Sequence, residues 1–380
     1  MQTAQDLTQT AQDLTQVAPD LTLLNGGVEA FPRMVLAIEQ ARESVQLEMY
    51  LFRLDTTGRR FVAALSAAAA RGVAVRVSLD GWGSSKDARE IKTKLVAAGC
   101  AVSIHAWRWW FLLRALARNH RKLLLVDDRV AFVGGINVGD EYGVDGGAVG
   151  WADLAAEIRG GACTRLAREL RHESVQDRSG AIRIHLANRG GGWRLRRRYL
   201  RAFRGARTSI QLAQGYFLPN RPVLRALIGA VRRGVEVEVL LPAHSDVPLA
   251  RLAMRYVYAP LLAGGVRIWE WNRSVLHAKA AVIDGRKLLV GSFNLEPLSL
   301  ITMEALVEAD DAGAAAQGER WMRQHFALAR AVAQGQLAGT APLSWLRTVL
   351  ATLLGGARHL LERLLVRNRE RLVRGQRERS

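Results

Sequence analysis

The sequence contains one short pattern twice, and this repetition limits what the chain can fold into. His-x-Lys-x4-Asp begins at His120 and again at His277. In both copies an Asn follows the His by the same interval, at Asn137 and Asn294. Because chance does not readily produce two copies with equal downstream spacing, we expect two related halves that each contribute one copy to a common site.

Each copy has the local pattern of a buried strand. The residues between Lys and Asp are apolar, and a turn signal follows at Asp127-Asp128 and at Asp284-Gly285. Side chains two positions apart lie on the same face of a strand, so the imidazole and the ammonium of each copy should lie side by side. The next predicted strand ends in Gly, where the backbone can approach a ligand, with the Asn just beyond it.

This set of side chains suits the transfer of a phosphodiester. One neutral imidazole can attack phosphorus to give a phosphohistidine, while the other, protonated, donates to the leaving alkoxide and then deprotonates the incoming alcohol or water. Ammonium groups and carboxamides can donate to the non-bridging oxygens. The residues in that role are Lys122, Lys279, Asn137 and Asn294. Since the lysines neutralise the phosphate, we expect neither a metal ion nor a cofactor.

The two copies resemble the paired HKD motifs of the phospholipase D superfamily. Within it the chain is most similar to short bacterial cardiolipin synthases of the B type, over residues 22–330. Three further stretches carry the resemblance: Asn25-Gly26-Gly27, Phe132-Val133-Gly134-Gly135-Ile136-Asn137 and Gly291-Ser292-Phe293-Asn294-Leu295-Glu296-Pro297-Leu298-Ser299-Leu300. The resemblance implies a phosphatidyltransferase that acts through a phosphohistidine, with phosphatidylglycerol as the leading donor and acceptor. A phospholipase D-type hydrolase or a nuclease with the same motifs is the alternative.

The resemblance also implies a role for each residue of the site. His120 is the expected nucleophile, and His277 is the expected general acid and base. An acidic residue behind each histidine should fix its tautomer, and Asp153 and Glu304 stand at suitable distances downstream of the motifs.

Two further expectations follow from the resemblance. Asp127 and Asp284, which complete the motifs, are expected to be structural members of ion pairs rather than reacting groups. Thr302 departs from the family, in which an Asn is expected two residues before the acid. This departure weakens any expectation about hydrogen bonds to the acid there.

The predicted elements give an α/β fold. Strand–helix–strand alternation in each half predicts a mostly parallel or mixed sheet flanked by helices. Echoes such as Ser44-Val45-Gln46-Leu47 in Ser209-Ile210-Gln211-Leu212 predict two tandem phospholipase D-like lobes related by a pseudo-twofold axis. The predicted domains are a mobile polar tail (1–21), the first lobe (22–180), the second lobe (181–335) and an amphipathic Arg-rich extension (336–380).

The charge balance favours a polyanionic partner. The 380 residues carry 54 Lys and Arg against 35 Asp and Glu, a formal net charge of +19, which suits anionic lipid or nucleic acid. Taken with the resemblance, it favours phospholipid substrates at an anionic membrane surface, and nucleic acid is the weaker alternative. The two cysteines, Cys100 and Cys163, lack the spacing of a disulfide framework or a zinc site and indicate a reducing compartment.

No run of residues has the length and apolar character of a membrane span, and no signal-peptide pattern is present. We therefore expect a peripheral protein at the cytoplasmic face of the cell membrane. The sequence does not predict the oligomeric state.

Three stretches could contact lipid. The amphipathic extension (336–380) either binds anionic headgroups at the interface or packs back on the catalytic body. An insertion before His120 interleaves Arg with Trp107, Trp109, Trp110 and Phe111. We interpret it as a rim of the site at the membrane interface, with stacking on single-stranded nucleic acid and core packing as the alternatives. An Arg-rich helical stretch after Gly192 either has a solvated face or holds anionic lipid.

Overall fold

The computed structural model describes residues 20–105, 118–143, 150–173, 180–245 and 248–333. Most of the predicted polar tail (1–21) and all of the predicted Arg-rich extension (336–380) lie outside these residues, so both remain predictions. Within the described ranges, no helix is long and apolar enough to cross a membrane.

The first lobe is built on a mixed seven-stranded sheet with helices packed against it. Its elements are β1 (Leu21–Asn25), α1 (Gly26–Glu39), β2 (Ser44–Met49), α2 (Thr56–Ala70), β3 (Ala74–Asp80), α3 (Ala88–Ala97), β4 (Ala101–His105), β5 (Lys122–Val126), β6 (Val130–Gly134), a 3-10 turn (Asp140–Tyr142), β7 (Leu154–Arg159) and α4 (Gly161–Leu170). The strand order is β1-β7-β6-β5-β2-β3-β4. Strands β2, β3 and β4 are parallel, and the other neighbours pair antiparallel.

The second lobe is built on a mixed eight-stranded sheet. Its elements are β8 (Ile182–Ala187), α5 (Gly192–Gly205), β9 (Ser209–Gln214), α6 (Arg221–Arg232), β10 (Glu236–Pro242), α7 (Pro248–Arg255), α8 (Tyr258–Ala263), β11 (Arg267–Trp271), β12 (Lys279–Ile283), β13 (Lys287–Gly291), a 3-10 turn (Leu298–Leu300), β14 (Glu304–Asp310), α9 (Ala312–Leu328) and β15 (Arg330–Ala331). The strand order is β15-β11-β10-β9-β12-β13-β14-β8. Taken from β8, this order repeats that of the first sheet, with β15 as an added edge. The prediction of two related α/β lobes is confirmed.

The two lobes share one apolar core. Because side chains alternate along a strand, Leu123 on β5 and Val133 on β6 face the second lobe, where they join one buried cluster with Ala280 and Val290. Leu124, one position along, instead belongs to the cluster on the helix-covered side of the first sheet. The motif strands β5 and β12 are therefore buried on both faces, as their apolar sequences predict.

The last helix of the second lobe also closes the first lobe. The indole Nε1 of Trp321 on α9 donates to Asn25 Oδ1 at 2.9 Å. Gln317, one turn earlier, accepts from the backbone N–H of Leu23 at 2.8 Å. These hydrogen bonds hold β1 against α9, so the two lobes cannot separate without breaking them.

The motif aspartates hold strand ends together. Both adopt left-handed backbone geometry, with φ of 52° at Asp127 and 54° at Asp284. The Asp127 carboxylate accepts from the backbone N–H groups of residues 42, 43 and 44 at 2.8–2.9 Å, and Asp284 accepts from those of residues 207, 208 and 209 at 2.8–3.1 Å. Among the described residues neither aspartate forms an ion pair. The expectation of a structural role fits this geometry, in which backbone N–H groups of the described residues are the partners of both carboxylates, and the expected ion pair stays a prediction.

These bonds also affect the acidity of the motif aspartates. Burial acts to raise the pKa of Asp127, but the hydrogen bonds from the three N–H groups outweigh it and hold the pKa below its ordinary value. Asp127 follows Lys122 by five residues, roughly 16 Å along an extended strand. Its carboxylate therefore anchors β2 at the end of β5 that lies away from the histidine.

Replacing Asp127 with Ala should lower the free energy of unfolding by about 2 kcal/mol, since three backbone donors lose a charged acceptor and Ala disfavours positive φ. Urea unfolding measures this loss, and kcat per folded molecule should change little. Asp128→Ala is the matched control: it shares the positive φ and loses only a surface ion pair with Arg171, worth at most about 1 kcal/mol. A large fall in kcat with unchanged stability would instead make Asp127 a reacting group.

Candidate active site

The two motif lysines lie buried at the start of the central strands. Lys122 and Lys279 are the first residues of β5 and β12 and are 3% and 0% exposed. Each Nζ donates to the backbone oxygen of the motif histidine two residues earlier. The ammonium of Lys122 also lies 4.8 Å from the ring centre of Tyr50. A buried ammonium needs such partners, and an anion in the cleft would be a stronger one.

Short bridges between the lobes set the position of each histidine. Asn119 pairs in parallel with Met303, and Leu276 pairs with Ala152. The N–H of the following residue, His120 or His277, donates to the oxygen of Met303 or Ala152 at 2.9 or 2.8 Å. The acidic residue directly follows the bridging residue in each case: Glu304 follows Met303, and Asp153 follows Ala152. Each bridge therefore places one lobe's histidine beside the other lobe's acid.

The histidine–carboxylate pairs are crossed between the lobes. Nδ1 of His120 lies 3.0 Å from Glu304 Oε1, and Nδ1 of His277 lies 2.6 Å from Asp153 Oδ2. Both acids predicted from the sequence contact a histidine, and in each case it is the histidine of the other lobe. Glu304 contacts His120, and Asp153 contacts His277. With Nδ1–H donating to a carboxylate, the Nε2 lone pair of each ring is left for chemistry.

Two hydroxyl groups support the Glu304 carboxylate. Ser292 donates to Oε2, and Thr302 donates to Oε1 at 2.9 Å. Thr302, where the family pattern has Asn, therefore still supplies a donor to the acid. On the other side, Asp153 accepts from the N–H of Leu154 at 2.8 Å. Gly135 stands where Ser292 stands in the second half, and a Cβ there would lie 2.1 Å from Asp153 Oδ1, so Gly is required.

The pKa values show how close the four basic groups are. Burial and the Lys279 charge lower the pKa of His277 to about 4, against the opposing effect of Asp153. Burial also lowers the pKa of His120, which Glu304 opposes and both lysines reinforce. Burial and the Lys279 charge lower the pKa of Lys122 to about 7. Each lysine thus acts on the histidine of the other lobe, so all four groups share one site.

The carboxylates of the site remain ionised. Burial acts to raise the pKa of Asp153, but His277 and Lys279 outweigh it and hold the pKa below its ordinary value. Glu304 behaves in the same way, with His120 as its main stabilising neighbour. The site therefore holds neutral imidazoles beside charged carboxylates, which is the state that a nucleophile requires.

The two asparagines differ in what they contact. Asn137 is engaged at both ends: Oδ1 accepts from the N–H of Leu51 at 3.1 Å and Nδ2 donates to the Tyr142 hydroxyl. Asn294 is 1% exposed and its Oδ1 has no hydrogen-bond partner among the described residues. Both are buried beside their motifs, and donation from Nδ2 to a phosphate remains a prediction.

Several residues of the site were not predicted. Arg121, inside the first motif, is 3% exposed and forms an ion pair with Glu48 at 3.2 Å. Its guanidinium also donates to the oxygen of Ala187 at 3.1 Å and to Asn188 Oδ1 at 2.7 Å. Ala278 occupies the matching place in the second motif. This difference between otherwise equal motifs was a visible signal that Arg121 has its own structural role.

Aromatic rings surround the imidazoles. The Tyr50 ring lies 4.7 Å from that of His120, edge-on. The rings of Tyr142 and Trp151 each lie 5.6 Å from that of His277. The proposed rim residues Trp107, Trp109, Trp110 and Phe111 lie outside the described residues, so their role stays a prediction. Within the described ranges, no group of three or more His, Cys, Asp and Glu side chains could hold a metal ion.

Comparisons with known proteins agree with this geometry. The family described as "Cardiolipin synthase, PLD-like domain" matches residues 34–142 and 199–326. Cardiolipin synthase B of Escherichia coli K12 is 34% identical over 314 residues, which cover 76% of each chain. Cardiolipin synthase of Geobacillus thermodenitrificans is 31% identical over 72% of this chain and 59% of its own.

The solved structures agree at the level of the fold. A phosphatidylserine synthase of Haemophilus influenzae Rd KW20 superposes with a TM-score of 0.68 at 13% identity, over 90% of this chain and 99% of that one. The resemblance on which the sequence analysis relied is confirmed. With paired motifs in two related lobes and this match along both halves, the chain belongs to the family of cardiolipin synthases with phospholipase D-like domains.

Proposed function

We propose that this protein is a phosphatidyltransferase of the cardiolipin synthase type, which moves a phosphatidyl group between phospholipids at an anionic membrane surface. The observation that carries the proposal is the pair of buried lysines between two oriented imidazoles. The charge of Lys279 lowers the pKa of Lys122, and two cationic side chains this close favour a ligand with negative charge. A phosphodiester provides that charge together with an atom that an imidazole can attack.

The first step forms a covalent intermediate. Nε2 of His120 attacks phosphorus, and the bond from phosphorus to the leaving alkoxide oxygen breaks. His277 donates its proton to that oxygen. The phosphate charge promotes this by raising the pKa of His277, which burial and the Lys279 charge hold low. Lys122, Lys279 and Asn294 donate to the non-bridging oxygens as negative charge builds on them.

The second step returns the enzyme to its starting state. Neutral His277 takes the proton of the acceptor hydroxyl, whose oxygen attacks phosphorus as the bond to Nε2 of His120 breaks. With phosphatidylglycerol as donor and acceptor, glycerol leaves first and cardiolipin is the product. The exposure of the two rings supports His120 as nucleophile, because its side chain is 15% exposed and that of His277 is 6% exposed.

Hydrolysis is the second candidate, since water in place of the acceptor would use the same residues. The described residues give no reason to prefer water, and the curated relatives reported above are named as synthases. The membrane location, its cytoplasmic face and the rim at Trp107–Phe111 belong to the same proposal.

Anion binding should be coupled to proton uptake. Because burial and cationic neighbours lower the pKa of Lys122 to about 7 and that of His277 to about 4, a bound anion should raise both values and draw protons from solution. Sulfate is a suitable probe because it does not titrate near pH 7. At pH 7, calorimetric titration in buffers of different ionisation enthalpy should show an uptake of between about 0.5 and 1.5 protons, about 0.5 by Lys122 and up to about 1 by His277. Binding without proton uptake would contradict the proposed electrostatics.

Changes at Glu304 and at the two histidines should affect formation of the covalent adduct differently. Glu304→Gln should slow formation of the covalent adduct on His120 by about 10²–10⁴-fold, since the tautomer of the nucleophile is no longer fixed. His277→Ala should retain adduct formation with a good leaving group, whereas His120→Ala should form none. Rapid quench with a labelled phosphodiester measures both results.

The control for this series is His185→Ala on strand β8. It removes another imidazole–carboxylate pair, in which His185 Nε2 lies 3.0 Å from Glu308 Oε2 on strand β14. It should leave the adduct unchanged. Label retained on His120→Ala would reverse the assignment of the two histidines.

Vesicles of phosphatidylglycerol incubated with pure protein and EDTA should yield cardiolipin and glycerol in equal amounts. Mass spectrometry of the lipids and an enzymatic glycerol assay measure the two products. Release of phosphatidic acid in place of cardiolipin would establish hydrolysis, and cleavage of DNA without any lipid product would establish a nuclease.

A further inference from the structure

The exposed face of helix α5 carries only arginine. Four side chains form this face, which we name the arginine stripe: Arg194, Arg197, Arg201 and Arg204. They follow the three-and-four spacing of one helical face, and α5 contains no acidic residue. None of the four forms an ion pair with a described carboxylate. The guanidinium groups of Arg194 and Arg197 lie over the ring of Trp193, 5.5 and 5.6 Å from its centre.

The duplication provides an internal comparison, because α1 holds the same place in the first lobe. The helices are aligned through Ile38 and Phe203, both buried and both six residues before the serine that opens the next strand. The positions of the stripe are then occupied in α1 by Glu29, Pro32, Leu36 and Glu39, all exposed. The fold therefore accepts acidic and apolar residues at this face, so the arginines are not needed to build the lobe.

The arginine stripe is also unfavourable to the isolated helix. Like charges three and four positions apart repel each other, and no acidic side chain on α5 relieves the repulsion. Guanidinium groups bind phosphate through paired hydrogen bonds and are weakly hydrated. A surface that presents several phosphates at once would both relieve the repulsion and use the full stripe.

The stripe begins beside the active site. A Cβ on Gly192, the first residue of α5, would lie 2.1 Å from the oxygen of Ser299, in the loop that follows Asn294. Just before the helix, Asn188 accepts from the guanidinium of Arg121 in the first motif. From Arg194 to Arg204 the helix extends roughly 15 Å. A planar array of headgroups against this face would therefore reach the loops that border the cleft.

We propose that the arginine stripe docks the second lobe on an anionic phospholipid surface and so turns the cleft toward its substrate. This inference rests on the proposed function, since a membrane-borne phosphodiester is the reason for docking. Among the described helices, those of the first lobe carry no such stripe, so the contact fixes one orientation. The stripe is a row of guanidinium groups without ion pairs to described carboxylates, and a lipid surface presents a planar array of phosphates. This match favours lipid over nucleic acid.

The test compares two variants of the full chain with equal loss of charge. The stripe variant carries Arg194→Gln, Arg197→Gln, Arg201→Gln and Arg204→Gln. The control variant carries Arg59→Gln, Arg60→Gln, Arg320→Gln and Arg323→Gln, which are exposed on α2 and α9 and have no ion pair with described residues. Sedimentation with vesicles of phosphatidylglycerol and phosphatidylcholine measures binding. The stripe variant should bind roughly 100-fold more weakly than the parent in low salt, since each arginine near the membrane surface contributes to the free energy of binding. The control variant should stay within about threefold of the parent.

Turnover provides the second measurement. The ratio of turnover on vesicles to turnover on a short-chain monomeric phosphodiester should fall at least tenfold for the stripe variant and not for the control. Unchanged vesicle binding, equal loss in both variants, or a loss of DNA binding alone would overturn the proposal. Binding is measured without turnover, so a parent protein that binds vesicles through the stripe but makes no lipid product would contradict only the proposed function.

Discussion

Two imidazole–carboxylate hydrogen bonds cross between the lobes, and the rest of the site depends on them. His120 takes its partner Glu304 from the second lobe, and His277 takes Asp153 from the first. A separated lobe would therefore contain a histidine without its acid and an acid without its histidine. Because the shared apolar core holds the sheets against each other, this exchange is part of folding. The fold thus produces a single site from two half-sites that would each be inactive.

Burial gives the site its reactivity. The side chains of Lys122 and Lys279 are 3% and 0% exposed. Burying two such charges would cost free energy without negative charge nearby. The two carboxylates supply part of that negative charge, and the lowered pKa values of Lys122 and His277 show that they do not fully balance the cost of burial. An incoming phosphodiester completes the balance. The same negative charge raises the proton affinity of His277, so substrate binding should create the protonated acid that the first step requires.

The sequence predicted the parts of the site that depend on local geometry. The alternation of a strand predicts that His120 lies beside Lys122, and the apolar run after the lysine predicts a buried strand. It could not predict the crossing of the acids, because Asp153 and Glu304 reach their histidines through contacts between sheets that no local pattern encodes. The motif aspartates show a different limit. Their structural role was predicted, but not the positive φ, which turns each carboxylate toward backbone N–H groups at the start of a neighbouring strand.

The lobes have diverged around a symmetric centre. Arg121 in the first motif binds Glu48 and the start of the second lobe, where the second motif has only Ala278. The exposed face of α5 is entirely arginine, where α1 presents Glu29 and Glu39. The proposed mechanism accounts for the twofold relation, since it uses two imidazoles and two ammonium groups. It also accounts for the different surroundings, since it gives the two imidazoles different tasks and one face alone a surface to meet.

A crystal structure of the His277→Ala variant after reaction with a soluble phosphodiester that has a good leaving group would test the account most directly. We expect a covalent bond from phosphorus to Nε2 of His120. We also expect that Glu304 still accepts from Nδ1 of the same ring and that Lys122 and Lys279 contact the non-bridging oxygens. A phosphorus atom bonded to another residue, or Nδ1 of His120 held by an acid of its own lobe, would contradict it.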